Sequence, residues 1–530
     1  MSASSAPGHA PGTHCGPVTV LGSRDELLPI AALLMLGSLA FVDLLSLPTF
    51  EDEGSQLRWI FRLIQAGEWL PPLGEGKPLE AWLVAPLVRW GIPALLAARA
   101  LHVFAGMIGA VLTYRLARQL GGRGTAFASG VLFAICPFVV YLQRLALSDM
   151  FLCTAGLWVL VSVLEFIRLP TRSRAGALAV ALVLAASCKF PVGFVFVSAV
   201  PLALLLMPSR ERRLLLQRNA AALAYAQLPV IALALLVAVV AAVRLRHGHS
   251  AGFGLTDFAG IAMGRYENIA AATGVPKSRL TDELAAQLSW PVIAIALVGI
   301  VAAARFGAWR LRWLIAMGIF PMLGIAFLAK YWFSRYLLFT LPPLIVSAVC
   351  GWDELARRTR RFGRSLRWTA WVVCVGFMGR QSAAIVLAPA SAHWSALDRF
   401  QYFEGSPSGY GYPEAAKFLT EAPHAPSRIY SLDGHSAYQL LCYLPAPWID
   451  RVKPVFYGDD GRLLESQQAR LAQVLERTPV WIIVSDQLRD RYLDSEFGAS
   501  ASTLIRLRPI AHFDKPGSRS QLVIYEITHR

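Results

Sequence analysis

Long apolar runs separated by short arginine clusters fill the first 388 residues of the chain. A helix needs about 20 apolar residues to cross the hydrocarbon core of a bilayer. Eleven runs approach or reach that length, at 27–47, 93–114, 124–142, 149–167, 175–190, 191–207, 221–243, 290–304, 313–329, 333–350 and 368–388. The stretch 175–207 is broken only at Lys189-Phe190-Pro191, which predicts two short helices joined by a tight turn. Between the first and second runs the period changes. Leu57, Ile60, Phe61 and Ile64 recur at helical spacing, with Arg58 and Arg62 elsewhere on the wheel. That pattern predicts a helix lying in the interface rather than crossing it.

Beyond residue 388 the pattern changes again. Arg428–Asp433, Val480–Asp486, Leu504–Phe513 and Gln521–Ile527 read as strands, and Glu465–Arg477 has helical spacing. This alternation predicts a small α/β domain. The expected organisation is therefore a polar tail (1–26), a helical membrane domain of about eleven spans (27–388) with outer loops at 48–92 and 244–289, and an α/β domain outside the membrane (389–530). The tail lacks the basic start and short apolar run of a cleaved signal, so the first run is read as an uncleaved anchor.

Charge orients this arrangement. Nineteen arginines fall in the loops that eleven spans place on one side, at 115–123, 168–174, 210–218, 305–312 and 357–367. Arginine-rich short loops face the cytoplasm. The tail is then inside, and the loops 48–92 and 244–289 are outside with the C-terminal domain. The Ala/Arg/Leu-rich usage suggests a bacterial chain, which places it in the inner membrane.

Composition agrees. Of 530 residues 55% are hydrophobic and 16% charged, with mean hydropathy +0.49. Soluble domains carry about 25% charged residues. The net charge of +16 resides in the loop clusters, with no basic aromatic face for a nucleic acid. Five of the seven cysteines (Cys136, Cys153, Cys188, Cys350 and Cys374) lie in or beside apolar runs. Cys15 and Cys442 stand apart, and no disulfide framework or zinc spacing appears.

Against this background a few charges stand out. Glu51, Asp52 and Glu53 follow the first run directly. Acids at a membrane boundary are costly unless they face water, a pocket or a partner. Thr49 with Asp52 three residues later also resembles a capping box, which would account for one acid structurally. Lys77 sits between Gly and Pro, suited to an anionic headgroup or phosphate, or to a solvated loop. Arg144 and Asp149 are five apart and form either an ion pair capping the fourth run or part of a site. Lys189 interrupts apolar sequence and either finds a partner or snorkels. Tyr331-Trp332-Phe333-Ser334-Arg335-Tyr336 opens the tenth run, where an interfacial aromatic belt is the alternative. His247-Gly-His249 is a weak metal candidate without a third ligand. The eleven-span topology puts Asp52, Glu53, Lys77, Arg144, Asp149, Lys189 and Arg335 at one depth on one side.

Taken together, these motifs resemble the GT-C glycosyltransferases of the protein O-mannosyltransferase and aminoarabinose (lipid A) transferase type. The likeness covers about 27–350. It rests on Asp52-Glu53 before an interfacial helix, Gly67-Glu68-Trp69, Lys77-Pro78-Leu79, Arg144…Asp149, Lys189-Phe-Pro-Val-Gly193 and the Arg335–Leu344 run. The second proline of the family's Lys-Pro-Pro-Leu is missing here, and Glu80 follows. The resemblance implies an integral-membrane inverting transferase on the outer face. Its partners would be a polyprenyl-phosphate-linked sugar donor, membrane lipid, and a lipid, glycan or protein acceptor. It assigns Asp52 as general base with Glu53 as support, and Lys77, Lys189, Arg335 and Arg144 to the donor phosphate. Asp149, Trp69, Glu80 and Tyr336 fall at the donor sugar or in the frame around it. Trp69, Trp82, Tyr331 and Trp332 are candidates for stacking on sugar or isoprene. The resemblance assigns no certain cofactor; a phosphate leaving group served by cations can depart without metal, and a divalent ion is the weaker alternative. Two other classes fit the hydropathy: a polyprenyl-lipid flippase, which predicts charges in mid-span and inverted repeats, and a scaffold displaying the C-terminal domain, for which the acids are dispensable. The Gly/Tyr-rich turn Ser406–Pro413 is a candidate for facing the site.

Overall fold

The computed structural model describes residues 24–67, 77–190, 192–246, 280–328 and 333–422, and in the C-terminal part 428–431, 436–445, 448, 451–454, 480–489, 505–517 and 520–529. Trp69, Tyr331, Trp332, His247, His249, most of the loop 244–289 and the helix expected at 465–477 lie outside the described residues.

Every predicted apolar run falls on helix, but not on eleven uniform spans. Among the described residues, six helices are long and apolar enough to cross a membrane: Ala94–Arg118, Asp149–Arg168, Ser209–Leu236, Trp309–Ala326, Ser334–Arg358 and Phe362–Leu387. A seventh arises if Leu280–Leu288 and Trp290–Phe306 count as one span bent by 106°. The chain is a multi-pass membrane protein. The remaining runs are helical but short or broken, for local reasons. Pro137 restarts the third run after Cys136, because its ring cannot continue the preceding helix. Arg172–Cys188 stops at an extended Lys189, and the chain resumes as the 3-10 turn Val192–Ser198 and the short helix Ala199–Leu206. Asp149–Arg168 and most of Ser334–Arg358 are packed inside the bundle. Ser209–Leu236 and Phe362–Leu387 lie at its edge and present exposed apolar side chains such as Leu228, Leu235, Val372 and Phe377.

The interfacial helix is present as Glu51–Ala66. Leu57, Ile60 and Leu63 are buried against Ala81, Val84 and Ala85 of Pro78–Arg89 and against Leu95, Ala97 and Ala98. Each such side chain contributes about 1.5–3 kcal/mol on burial. Gly67, at φ 66°, ends the helix in the left-handed conformation that glycine adopts without strain. Pro78 then starts the next helix at its first turn, where its missing N–H costs nothing.

Among the described residues, the C-terminal part forms a five-stranded sheet in the order β2-β1-β3-β5-β4. The strands are β1 (Ile429–Ser431), β2 (Val452–Pro454), β3 (Val480–Ser485), β4 (Ile505–Asp514) and β5 (Gln521–His529). β1 pairs in parallel with β2 and β3, whereas β5 runs antiparallel to β3 and β4. β3 is buried along its whole length, as its central place requires. Pro509 sits on the edge strand β4 beside a register shift, where a missing donor is tolerated. The three-residue β2 was not among the expected strands.

This domain sits directly on the interfacial helix. The short helix Ser436–Leu441 packs across Glu51–Ala66. Tyr443 Oη takes the Thr49 N–H at 2.6 Å and pairs with the Thr49 hydroxyl at 2.9 Å. Gln439 Nε2 donates to Thr49 O at 2.8 Å and Pro407 O at 3.0 Å. The approach requires glycine twice. A Cβ on Gly54 would lie 2.9 Å from Gln439 N, and one on Gly409 would collide with the Thr49 backbone.

Candidate functional site

The two neighbouring acids have opposite environments. Glu53 is fully buried and accepts four hydrogen bonds: from Arg99 Nε and Nη2 at 2.9 Å each, Phe50 N at 2.9 Å and Ala146 N at 2.6 Å. A carboxylate has about four lone-pair sites, and all are used. Arg99 Nη1 and Nη2 reach further, to Leu44 O at 2.9 Å, Leu47 O at 2.7 Å and Pro48 O at 3.3 Å. This fork ties the exit of the first helix to the start of the acidic one. The capping pair is therefore Phe50 with Glu53, one residue later than the expected Thr49 with Asp52. Thr49 is already engaged by Tyr443, and the helix begins at Glu51.

Asp52 points elsewhere. Its side chain is 36% exposed and its Oδ2 lies 2.5 Å from Arg335 Nη2. Arg335 is buried, with its guanidinium over the rings of Phe333 (4.5 Å), Phe50 (5.5 Å) and Tyr336 (5.6 Å). Its Nη1 makes no hydrogen bond. Asp52, Ser55, Gln56, Arg58, Trp59, Lys77, Glu80 and Ala81 line a polar cleft of about 170 Å³. In one amide orientation, Gln56 Nε2 donates to Glu80 Oε1 at 3.0 Å while its Oε1 accepts from Lys77 Nζ at 3.2 Å.

A second ion pair adjoins this cleft. Lys189 Nζ lies 2.7 Å from Asp149 Oδ1 and 4.5 Å from the centre of the Tyr336 ring. The partner of Asp149 is thus Lys189 and not Arg144, which corrects the pairing expected from their spacing. The Asp149–Lys189 pair joins the start of Asp149–Arg168 to the break after Cys188. Arg144 faces the other way. It is fully buried, donates to Asp43 O at 3.0 Å, and leaves Nε and Nη1 without a hydrogen bond. Burial, reinforced by the like charge of Arg99, lowers its pKa to about 10.

Asp52, Lys77, Glu80, Asp149, Lys189, Arg335 and Tyr336 are thus gathered in one neighbourhood. Arg144 joins the Arg99 side of the structure, behind Glu53. Arg99 and His102 were missed, although both interrupt the apolar run 93–114. They lie within the helix Ala94–Arg118, which is long and apolar enough to span. Trp82 is half-buried and packs with the interfacial helix and the main core. The turn at Ser406–Pro413 does abut the acidic helix, since Pro407 O accepts the Glu51 N–H at 3.1 Å. Among the described residues, no three His, Cys, Asp or Glu side chains come together as a metal-binding set. A larger groove of about 340 Å³ lies between the helices around Ala128, Ile295, Ala348 and Trp371, and it is lined by none of these residues.

The chain leading to the sheet adds one buried acid. Asp398 Oδ1 accepts from Ser334 Oγ at 2.7 Å, one residue before Arg335. Burial holds the Asp398 carboxyl well above the usual carboxylate range, and Glu283 pushes it the same way against Ser334 and Gln287. The folded chain keeps a proton here that the unfolded chain releases above the ordinary value. Stability from this group is full below that value and falls as pH rises through the raised one. Asp398→Asn is expected to flatten that loss, read as melting temperature against pH from the ordinary carboxylate value upward.

No family model matches the sequence, and no curated protein sequence matches it. Solved structures do. The chain is similar to ArnT from Cupriavidus metallidurans bound to undecaprenyl phosphate, at TM-score 0.58 and 14% identity, covering 94% of this chain and 97% of that one. It is similar to the oligosaccharyltransferase AglB from Archaeoglobus fulgidus in complex with an inhibitory peptide and a dolichol-phosphate, at TM-score 0.57 and 9% identity over 94% and 74%. Mycobacterial arabinofuranosyltransferase AftD matches at TM-score 0.51 and 14% identity, covering 97% of this chain and 40% of that one. The chain has the GT-C glycosyltransferase fold.

Proposed function

We propose that this protein is an inverting glycosyltransferase that takes a sugar from a polyprenyl-phosphate carrier and passes it to an acceptor at the outer membrane face. One observation carries the reading. Asp52 is a half-exposed carboxylate set in a polar cleft, with Lys77 and Arg335 beside it. A hydroxyl acceptor attacks well only as its proton is taken, and a placed carboxylate takes it. Asp52 is the base. The sugar carbon inverts through an oxocarbenium-like state as the lipid phosphate departs. Fixed cations stabilise the charge developing on that phosphate. Lys77 lines the cleft and contacts a neutral amide, which leaves its charge available to a phosphate. Arg335 and Lys189 each hold a carboxylate at rest, and both are next in reach. Glu53 positions Asp52 by fixing the helix that carries it. The arginine-rich loops support a bacterial inner-membrane protein of eleven spans, with cleft and sheet on the periplasmic side.

The test begins with mass spectrometry of lipid that copurifies with the full-length protein. A polyprenyl phosphate is expected, and a polyprenyl-phosphate sugar should then lose its sugar to a lipid, glycan or peptide acceptor with inverted anomeric configuration. Movement of the lipid-linked sugar across vesicles, with no transfer to any acceptor, would favour a flippase instead.

A further inference from the structure

The cleft contains a second carboxyl with no task in the reaction above. Glu80 shares it with Asp52 and Lys77, yet is only 2% exposed. Facing Glu80 is His102, which is fully buried and tilted against Phe151 at 4.4 Å. His102 Nδ1 lies 2.7 Å from Ala98 O, so in the neutral ring that nitrogen carries the hydrogen and donates. Nε2 then presents a lone pair. It stands 3.6 Å from Glu80 Oε1 and makes no hydrogen bond of its own.

A carboxylate and an imidazole lone pair facing each other across that gap repel. A proton between them removes the repulsion. In a buried site the neutral acid beside a neutral ring costs less than a separated ion pair. The charges around Glu80 are mixed. Burial raises its affinity for the proton, Glu53 and Asp149 add to this, and Lys77 and Lys189 oppose it. Gln56 bridges Glu80 to Lys77 through one amide group. A phosphate oxygen held by Lys77 therefore arrives beside the acid.

We propose that Glu80 is the general acid of the transfer, holding a proton against His102 and giving it to the departing lipid-phosphate oxygen. This rests on the glycosyl-transfer reading above. The acceptor oxygen forms its bond to the sugar carbon while its proton goes to Asp52. The carbon–oxygen bond to phosphate breaks, its electron pair stays on the phosphate oxygen, and the Glu80 proton joins that oxygen. The phosphate leaves as a monoanion. Glu80 regains a proton from water as Asp52 loses one, which closes the cycle. His102 is a positioning residue whose Nε2 lone pair faces the acid at 3.6 Å and favours its protonated form.

The experiment measures kcat and KM against pH for the full-length protein in nanodiscs, using the polyprenyl-phosphate sugar that supports turnover. Glu80→Gln preserves shape and neutrality, so it should fold and bind undecaprenyl phosphate within about threefold of wild type. Its kcat should fall by about 10²-fold or more with KM nearly unchanged, and the alkaline fall of the wild-type kcat profile should vanish. Glu80→Asp should restore part of the rate and return the alkaline limb. His102→Leu should move that limb to lower pH, because the lone pair that disfavours the carboxylate is gone. A folded Glu80→Gln protein that keeps both the rate and the alkaline limb overturns the proposal. So does a uniform loss at every pH accompanied by weakened undecaprenyl phosphate binding, which marks a structural role. A wild type that binds undecaprenyl phosphate but transfers no sugar overturns the glycosyl-transfer reading itself, and the two failures are thereby distinguished.

Discussion

Asp52→Asn is expected to lower sugar transfer by about 10²- to 10⁴-fold, the range that general-base removal commonly costs. The carboxamide keeps the size of the side chain but cannot take the acceptor's proton. The fold should survive the change, because the side chain is 36% exposed and asparagine matches its size. What changes locally is the counterion of Arg335, whose guanidinium stays over the rings of Phe333, Phe50 and Tyr336. Donor binding should therefore hold or tighten, since the arginine no longer shares its charge with a carboxylate. Initial transfer rates, donor affinity and melting temperature, measured on one preparation, separate these effects. Wild-type transfer by a folded Asp52→Asn protein would remove Asp52 from the reaction.

The adjacent acid should behave in the opposite way. Glu53→Ala is expected to cost about 3–5 kcal/mol of stability, the penalty for stranding one partner of a buried ion pair. It leaves Arg99 charged in an apolar setting and orphans the N–H groups of Phe50 and Ala146. Replacing both Glu53 and Arg99 by leucine should not restore the loss, because Arg99 also holds the carbonyls of Leu44, Leu47 and Pro48. Those carbonyls would remain buried without donors. Thermal unfolding in detergent, followed by size-exclusion profile, reads the effect. A Glu53→Ala protein that melts like wild type and yet transfers no sugar would return Glu53 to the chemistry.

This contrast explains what the sequence could convey. Asp52 and Glu53 are indistinguishable by residue type and position. Their roles are set by Arg99, 46 residues from Glu53, and by Arg335, which no local pattern links to either acid. The apolar runs and the interfacial helix were legible because hydropathy and helical period are local properties of the chain. Four of the five described strands were legible for the same reason, whereas β2, three residues that include Lys453 and Pro454, shows no apolar alternation. The pairing of Asp149 was not legible. Spacing favoured Arg144, but the turn between them aims Arg144 at Asp43, and the helix break at Lys189 delivers the cation instead. Glu80 read as a departure from a motif. Only the packing of Pro78–Arg89 against Ala94–Arg118 sets it against His102.

The hydrogen bonds between Thr49 and Tyr443 span 394 residues. Thr49 emerges early in synthesis and its partner near the end. At ribosomal speeds of roughly 5–20 residues per second, the interval is on the order of 20–80 s. Through that time the acidic helix waits in the membrane interface without the chain that closes over its start. The contact over the start of the acidic helix is therefore made late, although the residues that line the cleft are among the first made. A message truncated before residue 443 yields a chain with its first acids present and the Thr49 contacts to Tyr443 unmade.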